Sequence, residues 1–92
     1  MELFFDSRSA HPAVVSNTEV AEMLQEVSDR YRNQGEEHRA RVYSRAAVTV
    51  LKQDSPVEKM DEDGLQSLDN VGNAIVQDIS EFTSTGSSSR LQ

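Results

Sequence analysis

The sequence contains no cysteine, which removes two ways of stabilising a small protein. Neither a disulfide framework nor a thiolate metal site can form, so packing alone must hold the core. Long apolar runs are also missing, and residues 1–6 have neither the basic lead nor the apolar stretch of a secretory signal. We therefore expect an intracellular, soluble protein, cytoplasmic or nuclear, with no membrane partner.

The length of the chain bounds its architecture. A chain of 92 residues buries only a little over half of its surface on folding and cannot support two separate cores. We therefore expect a single small domain and a monomer.

The net charge of −7 hides an uneven distribution of charge along the chain. Residues 30–52 carry six basic and two acidic side chains, a net charge of +4, whereas the segments before and after them carry −5 and −6. An acidic surface is a poor match for salt-driven binding of nucleic acid by the whole molecule, because that mode needs many lysines and arginines. Any contact with phosphate should therefore centre on the middle of the chain.

Apolar residues recur at three- and four-residue spacing, which predicts an all-α, compact four-helix domain over residues 16–86. The first helix opens at Ser16, with Glu19 in capping-box spacing, and Gly35 closes it. Its predicted buried stripe consists of Val20, Met23 or Leu24, Val27 and Tyr31. A second helix is predicted from about residue 37 to residue 53, with a buried stripe of Ala40, Tyr43, Ala47, Val50 and Leu51.

The rest of the domain has the pattern of a helix-hairpin-helix motif. A short helix containing Leu65 leads into a tight turn, where Asn70 tolerates left-handed geometry and Val71 can point into the core. A last helix follows and ends at Gly86, which is placed as a C-terminal cap. The flanking segments are predicted to be a flexible tail, residues 1–15, and a polar tail or linker, residues 87–92.

A tight turn directly before a helix exposes backbone N–H groups at the positive end of that helix. Such amides can receive a phosphate without any side-chain charge. Val71, Gly72 and Asn73 are therefore candidate DNA-binding residues. The alternative is that the turn is an ordinary connector between two helices.

Four segments of the chain resemble the amino-terminal domain of family X DNA polymerases, the DNA polymerase beta-like family. They match that domain in their order and in their spacing. The family pattern is a Tyr-Arg-x-Ala-Ala helix, a Leu-Pro-Gly-Val-Gly hairpin, an Ile-x-x-x-Ile helix with a following Phe, and a closing Thr-Gly. The matching pieces here are residues 39–47, 65–75, 79–82 and 85–86. Within the hairpin, Asp69 and Asn70 stand where Pro and Gly are usual, which adds a negative charge beside the candidate phosphate site.

The resemblance implies binding to the 5′-phosphate side of gapped DNA through the hairpin and nearby basic residues. In some members a lysine also forms a Schiff base with an abasic sugar. Here the two lysine positions hold Ala74 and Asp78, and Asp78 is expected to repel the adjacent phosphate. Schiff-base chemistry needs an amine, so we expect no lyase activity, no other catalysis within this chain and no cofactor.

The second helix carries three further candidate DNA-binding residues, Arg39, Arg41 and Arg45. The resemblance places cationic residues near the DNA strand at Arg39 and Arg45, and Arg41 adds a guanidinium suited to phosphate. The alternative is a solvated helix face paired with Glu36 and Glu37. No metal site is expected, because the two histidines have no partners at ligand spacing.

Two classes of function remain open from the sequence. The first is a DNA-binding module that docks on DNA ends, gaps or junctions in repair or replication. The second is a protein-interaction module that kept the fold and lost the DNA, which the acid-rich last third and the apolar residues 3–5 favour. Similar domains in structure-selective junction nuclease subunits, which bind DNA or a scaffold, give a third interpretation.

Overall fold

The structure is a computed structural model that describes residues 15–91. This range contains four α-helices, two 3-10 turns and no β-strand, which confirms the predicted all-α, four-helix class. The elements are α1 (Asn17–Asn33), α2 (Glu37–Leu51), a first 3-10 turn (Val57–Lys59), α3 (Glu62–Gln66), α4 (Asn73–Thr85) and a second 3-10 turn (Ser89–Leu91). Within residues 15–91 no helix has both the length and the apolar character needed to cross a membrane.

Helix α1 begins and ends as the sequence predicts. The Ser16 side chain accepts a hydrogen bond from the Glu19 amide, and the Glu19 carboxylate accepts one from the Ser16 amide at 2.9 Å. This reciprocal pair satisfies two backbone donors that the first helical turn would otherwise leave open. After the helix, Gly35 adopts a φ of +83°, a conformation that favours glycine.

Helices α1 and α2 form the main packed pair, and most of the predicted stripes are buried between them and α4. Close approach is possible because Ala40 and Ala46 are fully buried and small. Ser28 is also fully buried, and its hydroxyl donates to the Ala40 carbonyl at 2.6 Å. The prediction for Leu51 is wrong: it is 56% exposed, because the neighbouring Val50 occupies the core-facing position of the last turn.

A polar side chain fastens the segment after α2 to the start of α1. The Asn17 side chain accepts from the Val57 amide at 2.9 Å and donates to the Ser55 carbonyl at 3.0 Å. Val57 is consequently buried, and Val15 beside it is buried as well. Val15 was predicted to be the last residue of the flexible tail. The other residues of that tail, including the apolar residues 3–5, lie outside the described range.

The carboxyl-terminal segment differs from its prediction. Gly86 caps α4 in left-handed geometry with φ +80°, as predicted. Residues 87–91, however, turn back onto the helices instead of leading away as a polar tail. Ser88 is buried, and the Leu91 carbonyl accepts a hydrogen bond from the Arg30 guanidinium at 2.7 Å. The segment is held by polar contacts of Ser89 and Arg90 and by the apolar contact of Leu91 with the core.

Candidate nucleic-acid interface

The link between α3 and α4 is a tight turn. The Val71 amide donates to the Leu68 carbonyl at 3.3 Å and closes a turn with Asp69 and Asn70 at its tip. Asn70 adopts a φ of +65°, which confirms the predicted left-handed position. Gly72 then forms the N-cap of α4 in an extended conformation. The helix-hairpin-helix geometry is therefore present.

The amino terminus of α4 lacks the groups that would compete with an anion. No side chain caps it, and its first turn carries no acidic residue. Among the other helices, Ser16 caps α1 and Asp61 caps α3, and α2, which also has no side-chain cap, carries Glu37 in its first turn. Gly72 and Asn73 are exposed at this terminus, so their amides are accessible to a phosphate.

Val71 does not behave as the sequence analysis proposed for a DNA-contacting residue. It is only 6% exposed, because it is the apolar residue that anchors the turn in the core. Its amide is already bonded to the Leu68 carbonyl. The prediction that Val71 can point into the core is confirmed, and that position leaves neither its side chain nor its amide for a phosphate.

A first cavity, of about 380 Å³, lies between α2 and the amino terminus of α4. Its lining residues are Tyr31, Arg39, Val42, Tyr43, Gly72, Asn73, Ala74, Ile75 and Arg90. The Arg39 guanidinium stacks over the Tyr31 ring, 5.6 Å from its centroid. This cation–π contact holds the positive charge of Arg39 at the cavity that Gly72 and Asn73 also line.

A buried polar network forms the back of this cavity. The Tyr43 hydroxyl donates to Asp78 Oδ2, and Arg90 Nε donates to Asp78 Oδ1 at 2.7 Å. The Arg90 guanidinium also donates to the Tyr31 hydroxyl at 3.0 Å. Both oxygens of the Asp78 carboxylate therefore have a partner, and the side chain of Asp78 is 6% exposed.

The network corrects the expectation that Asp78 repels phosphate. The carboxylate points into the protein and its charge is balanced by Arg90, so little negative charge remains at the surface. The network also shifts two pKa values. Burial, followed by the hydrogen bond to Asp78, raises the pKa of Tyr43 well above its ordinary value, and the hydrogen bond to Asp78 raises the pKa of Arg90. Tyr43 is buried, as its place on the predicted stripe of α2 implies, and its hydroxyl is buried against Asp78.

A second groove, of about 570 Å³, lies on the other side of the turn. Arg41, Arg45 and Lys52 of the α2 segment line one wall, and Asp69 and Asn70 line the other. Between the walls, the lining residues are Ser44, Val48, Thr49, Gln53, Ser67 and Leu68. We call this feature the basic groove.

The arginines of α2 do not pair with the acids that the alternative interpretation assigned to them. Among residues 15–91, no carboxylate lies within 4.0 Å of Arg39, Arg41 or Arg45. Glu37 instead lies 3.8 Å from Arg32. All three arginines are exposed, so their charges are accessible to a ligand.

The structure thus divides the six predicted site residues into three groups. Arg39, Gly72 and Asn73 line the first cavity, Arg41 and Arg45 line the basic groove, and Val71 lies in the core between them. The turn is a ridge that separates the two depressions. Arg39 and Arg41 cannot lie on the same side of α2, because a step of two residues along an α-helix is a rotation of about 200°.

Sequence reasoning missed two cationic residues of the site. Lys52 follows Arg45 by seven positions and Arg41 by eleven, a helical spacing that places all three on one face, so this signal was present in the sequence. Arg90 gave no such signal, because its partner Asp78 lies in another element, 12 residues away. Within the described part of the chain, no cluster of three or more His, Cys, Asp or Glu side chains is arranged to hold a metal ion.

A model of the helix-hairpin-helix domain family matches residues 15–88. The match begins at Val15 and ends at Ser88, both of which are buried in this structure. Comparisons with curated proteins and with solved structures give no match.

Proposed function

This chain belongs to the helix-hairpin-helix domain family, and we propose that it is a DNA-binding module that docks on DNA ends, gaps or junctions in repair or replication. A helix-hairpin-helix domain generally indicates DNA binding. The observation that carries the proposal is the turn itself, flanked on both sides by exposed arginines without carboxylate partners in residues 15–91.

The proposed contact combines two kinds of phosphate donor. Gly72 and Asn73 offer backbone amides at an uncapped helix terminus, and Arg39 adds a guanidinium held over Tyr31 at the same cavity. Arg41 and Arg45 offer bidentate donors across the ridge. At a gap or a junction, two stretches of DNA backbone run in different directions from one point. One stretch could then contact the first cavity and the other the basic groove.

The resemblance to family X DNA polymerases supports the choice of gapped DNA but not of the lyase reaction. Ala74 is exposed on the first cavity and has no amine, and the Asp78 carboxylate is engaged by Tyr43 and Arg90. The two lysines of the chain, Lys52 and Lys59, do not line that cavity. We propose that the domain binds DNA without cleaving it and needs no cofactor.

The test is fluorescence-anisotropy binding to a 5′-phosphorylated gapped duplex and to an intact duplex of the same length. We expect tighter binding to the gapped duplex, and weaker binding as salt rises, because phosphate contacts release counterions. The variant Arg39→Gln/Arg41→Gln/Arg45→Gln should lose most of this binding.

The control removes positive charges from elsewhere, through Arg32→Gln/Lys59→Gln. It should retain gap-selective binding, because neither residue lines either depression beside the turn. Absence of binding to gapped DNA at low salt, or an equal loss in the triple variant and in this control, would contradict the proposed interface.

A specific observation favours protein interaction as a second candidate function. Val48 and Leu51 are 51% and 56% exposed, and they adjoin an apolar groove that also contains Ala21 and Ala47. Apolar side chains exposed together are typical of a protein-binding surface. If this is the function, Leu51→Ser should abolish binding to a partner protein and leave DNA binding unchanged, because Leu51 lines the apolar groove and neither depression beside the turn. Equal partner binding by the variant and the wild type would exclude this surface.

A further inference from the structure

The basic groove holds opposite charges that do not meet. Arg41, Arg45 and Lys52 line one wall and Asp69 the other, yet none of these cations lies within 4.0 Å of the Asp69 carboxylate. Within the described residues Asp69 also accepts no hydrogen bond from a side chain or a backbone amide. If the groove bound only phosphates, the Asp69 carboxylate would weaken that binding, because it repels an anion.

We propose that the basic groove binds a single-stranded segment of DNA, with its phosphates on the α2 wall and a base on the Asp69 wall. The proposal rests on the proposed function and adds a substrate preference: a base with an exocyclic amino group, cytosine above all, is favoured over thymine. The occupant is the unpaired strand at a gap or a junction.

The spacing of the cations fits a strand that runs along α2. At a rise of 1.5 Å per residue, Arg41 and Lys52 are separated by about 16 Å along the helix axis. In duplex DNA one strand carries a phosphate for about every 3.4 Å of helix axis. A row of about 16 Å is still long enough to meet more than one phosphate when an unpaired strand spaces its phosphates further apart. The three side chains share one face, and a single strand can therefore contact them all.

The opposite wall and the floor suit a base better than a second phosphate. A carboxylate can only accept hydrogen bonds, and it repels an anion brought close to it. The amino group of cytosine is a donor that aspartate recognises in protein–DNA complexes, whereas thymine has no exocyclic amino group. Val48 and Leu68 give the groove apolar surface against which the base can lie, and Asn70 adds a further polar contact.

The test uses two 5′-phosphorylated gapped duplexes that are identical except that the single-stranded gap is all dC in one and all dT in the other. The wild-type chain should bind the dC gap about fivefold more tightly, the lower end of the discrimination expected from an aspartate–cytosine contact because Asp69 is exposed. Asp69→Ala should bind both duplexes with equal affinity. Its affinity for each should not fall below that for the dT gap in the wild type, because a negative charge has been removed.

The matched control is Asp63→Ala, which removes an exposed acid of α3 that lies outside the basic groove. It should retain the preference for dC. Gapped-DNA binding with equal affinity for the two gaps in the wild type would overturn the inference and leave the proposed function standing. A preference that survives in Asp69→Ala would also overturn it. No binding to either duplex would instead overturn the proposed function, and the inference with it.

Discussion

The two sides of the turn treat their charged residues differently. Behind the first cavity, the carboxylate of Asp78 is buried and both of its oxygens are bonded, one to Tyr43 and one to Arg90. In the basic groove, Arg41 and Arg45 are exposed and have no carboxylate partner in the described range. The charges of Asp78 and Arg90 neutralise each other within the fold, whereas the charges of Arg41 and Arg45 are accessible to a ligand.

This difference explains how the site can be basic in a chain of net charge −7. The number of acidic residues does not predict the electrostatic potential at one surface, because a buried acid that is paired with a cation contributes little to that potential. Asp78 stands where the family resemblance implies a lysine, and Arg90 supplies the compensating charge from the carboxyl-terminal segment.

The largest effect on stability should come from removing the centre of the buried network. Asp78→Ala leaves the Tyr43 hydroxyl and the Arg90 guanidinium without their shared acceptor. The Arg90 side chain is 37% exposed and can be hydrated, so the main cost is the buried Tyr43 hydroxyl left without its acceptor, and the free energy of unfolding should fall by about 2 kcal/mol. Urea denaturation followed by circular dichroism measures this change.

The control for this variant is Gln77→Ala, at the neighbouring, exposed position of α4. Its effect should stay within about 0.5 kcal/mol, as is usual for a surface substitution. If Asp78→Ala lowers the free energy of unfolding no more than Gln77→Ala does, the network does not stabilise the fold. The proposed difference between the two sides of the turn would then be wrong.

An intermediate effect is expected from Tyr43→Phe, and it should depend on pH. The variant loses one buried hydrogen bond to Asp78, which should cost about 1 kcal/mol at neutral pH. Because the pKa of Tyr43 is raised in the folded protein, the unfolded chain loses this proton first as pH rises. The wild type should therefore lose stability above the ordinary tyrosine pKa of about 10.

Chemical denaturation between pH 8 and pH 11 checks the sign of this effect. The free energy of unfolding of the wild type should fall more steeply above about pH 10 than that of Tyr43→Phe, so the gap between them narrows. Parallel curves for the two proteins would mean that the Tyr43 hydroxyl titrates in the folded state as it does in the unfolded chain.

The smallest effect on stability should come from the basic groove. Arg41→Gln/Arg45→Gln removes two exposed charges that hold no ion pair among residues 15–91. The free energy of unfolding should change by no more than about 0.5 kcal/mol per substitution. A loss comparable to that in Asp78→Ala would assign these arginines to the fold and remove them from the proposed interface.

Local features of the fold could be predicted from the sequence, and contacts between distant elements could not. The capping box at Ser16, the left-handed Asn70 and the cap at Gly86 each depend on a few neighbouring residues. The pair of Asp78 and Arg90 depends on how the last segment returns to the helices, and the two residues share no periodic pattern. The segment was therefore interpreted as a polar linker.

The candidate site follows the same rule: its local part could be predicted from the sequence, and the part that depends on tertiary packing could not. Helical spacing correctly marks Arg41 and Arg45 as neighbours and would have added Lys52. It gives no account of Asp69, because the opposite wall of the basic groove comes from a turn whose position is set by the burial of Val71 and Leu65. Side-chain type and spacing therefore identified one wall of the groove, and only tertiary packing supplied the other.

The salt dependence of binding to gapped DNA tests the central claim most directly. For the wild type, Arg41→Gln/Arg45→Gln, and the charge-matched Arg32→Gln/Lys59→Gln, the slope of log K against log salt concentration is measured on the same gapped duplex. Each lost contact with a phosphate of the unpaired strand should reduce the magnitude of the slope by about 0.7, so the first variant should lose about 1.4 units and the second almost nothing. Equal slopes in all three proteins would show that the exposed arginines of the basic groove do not contact DNA.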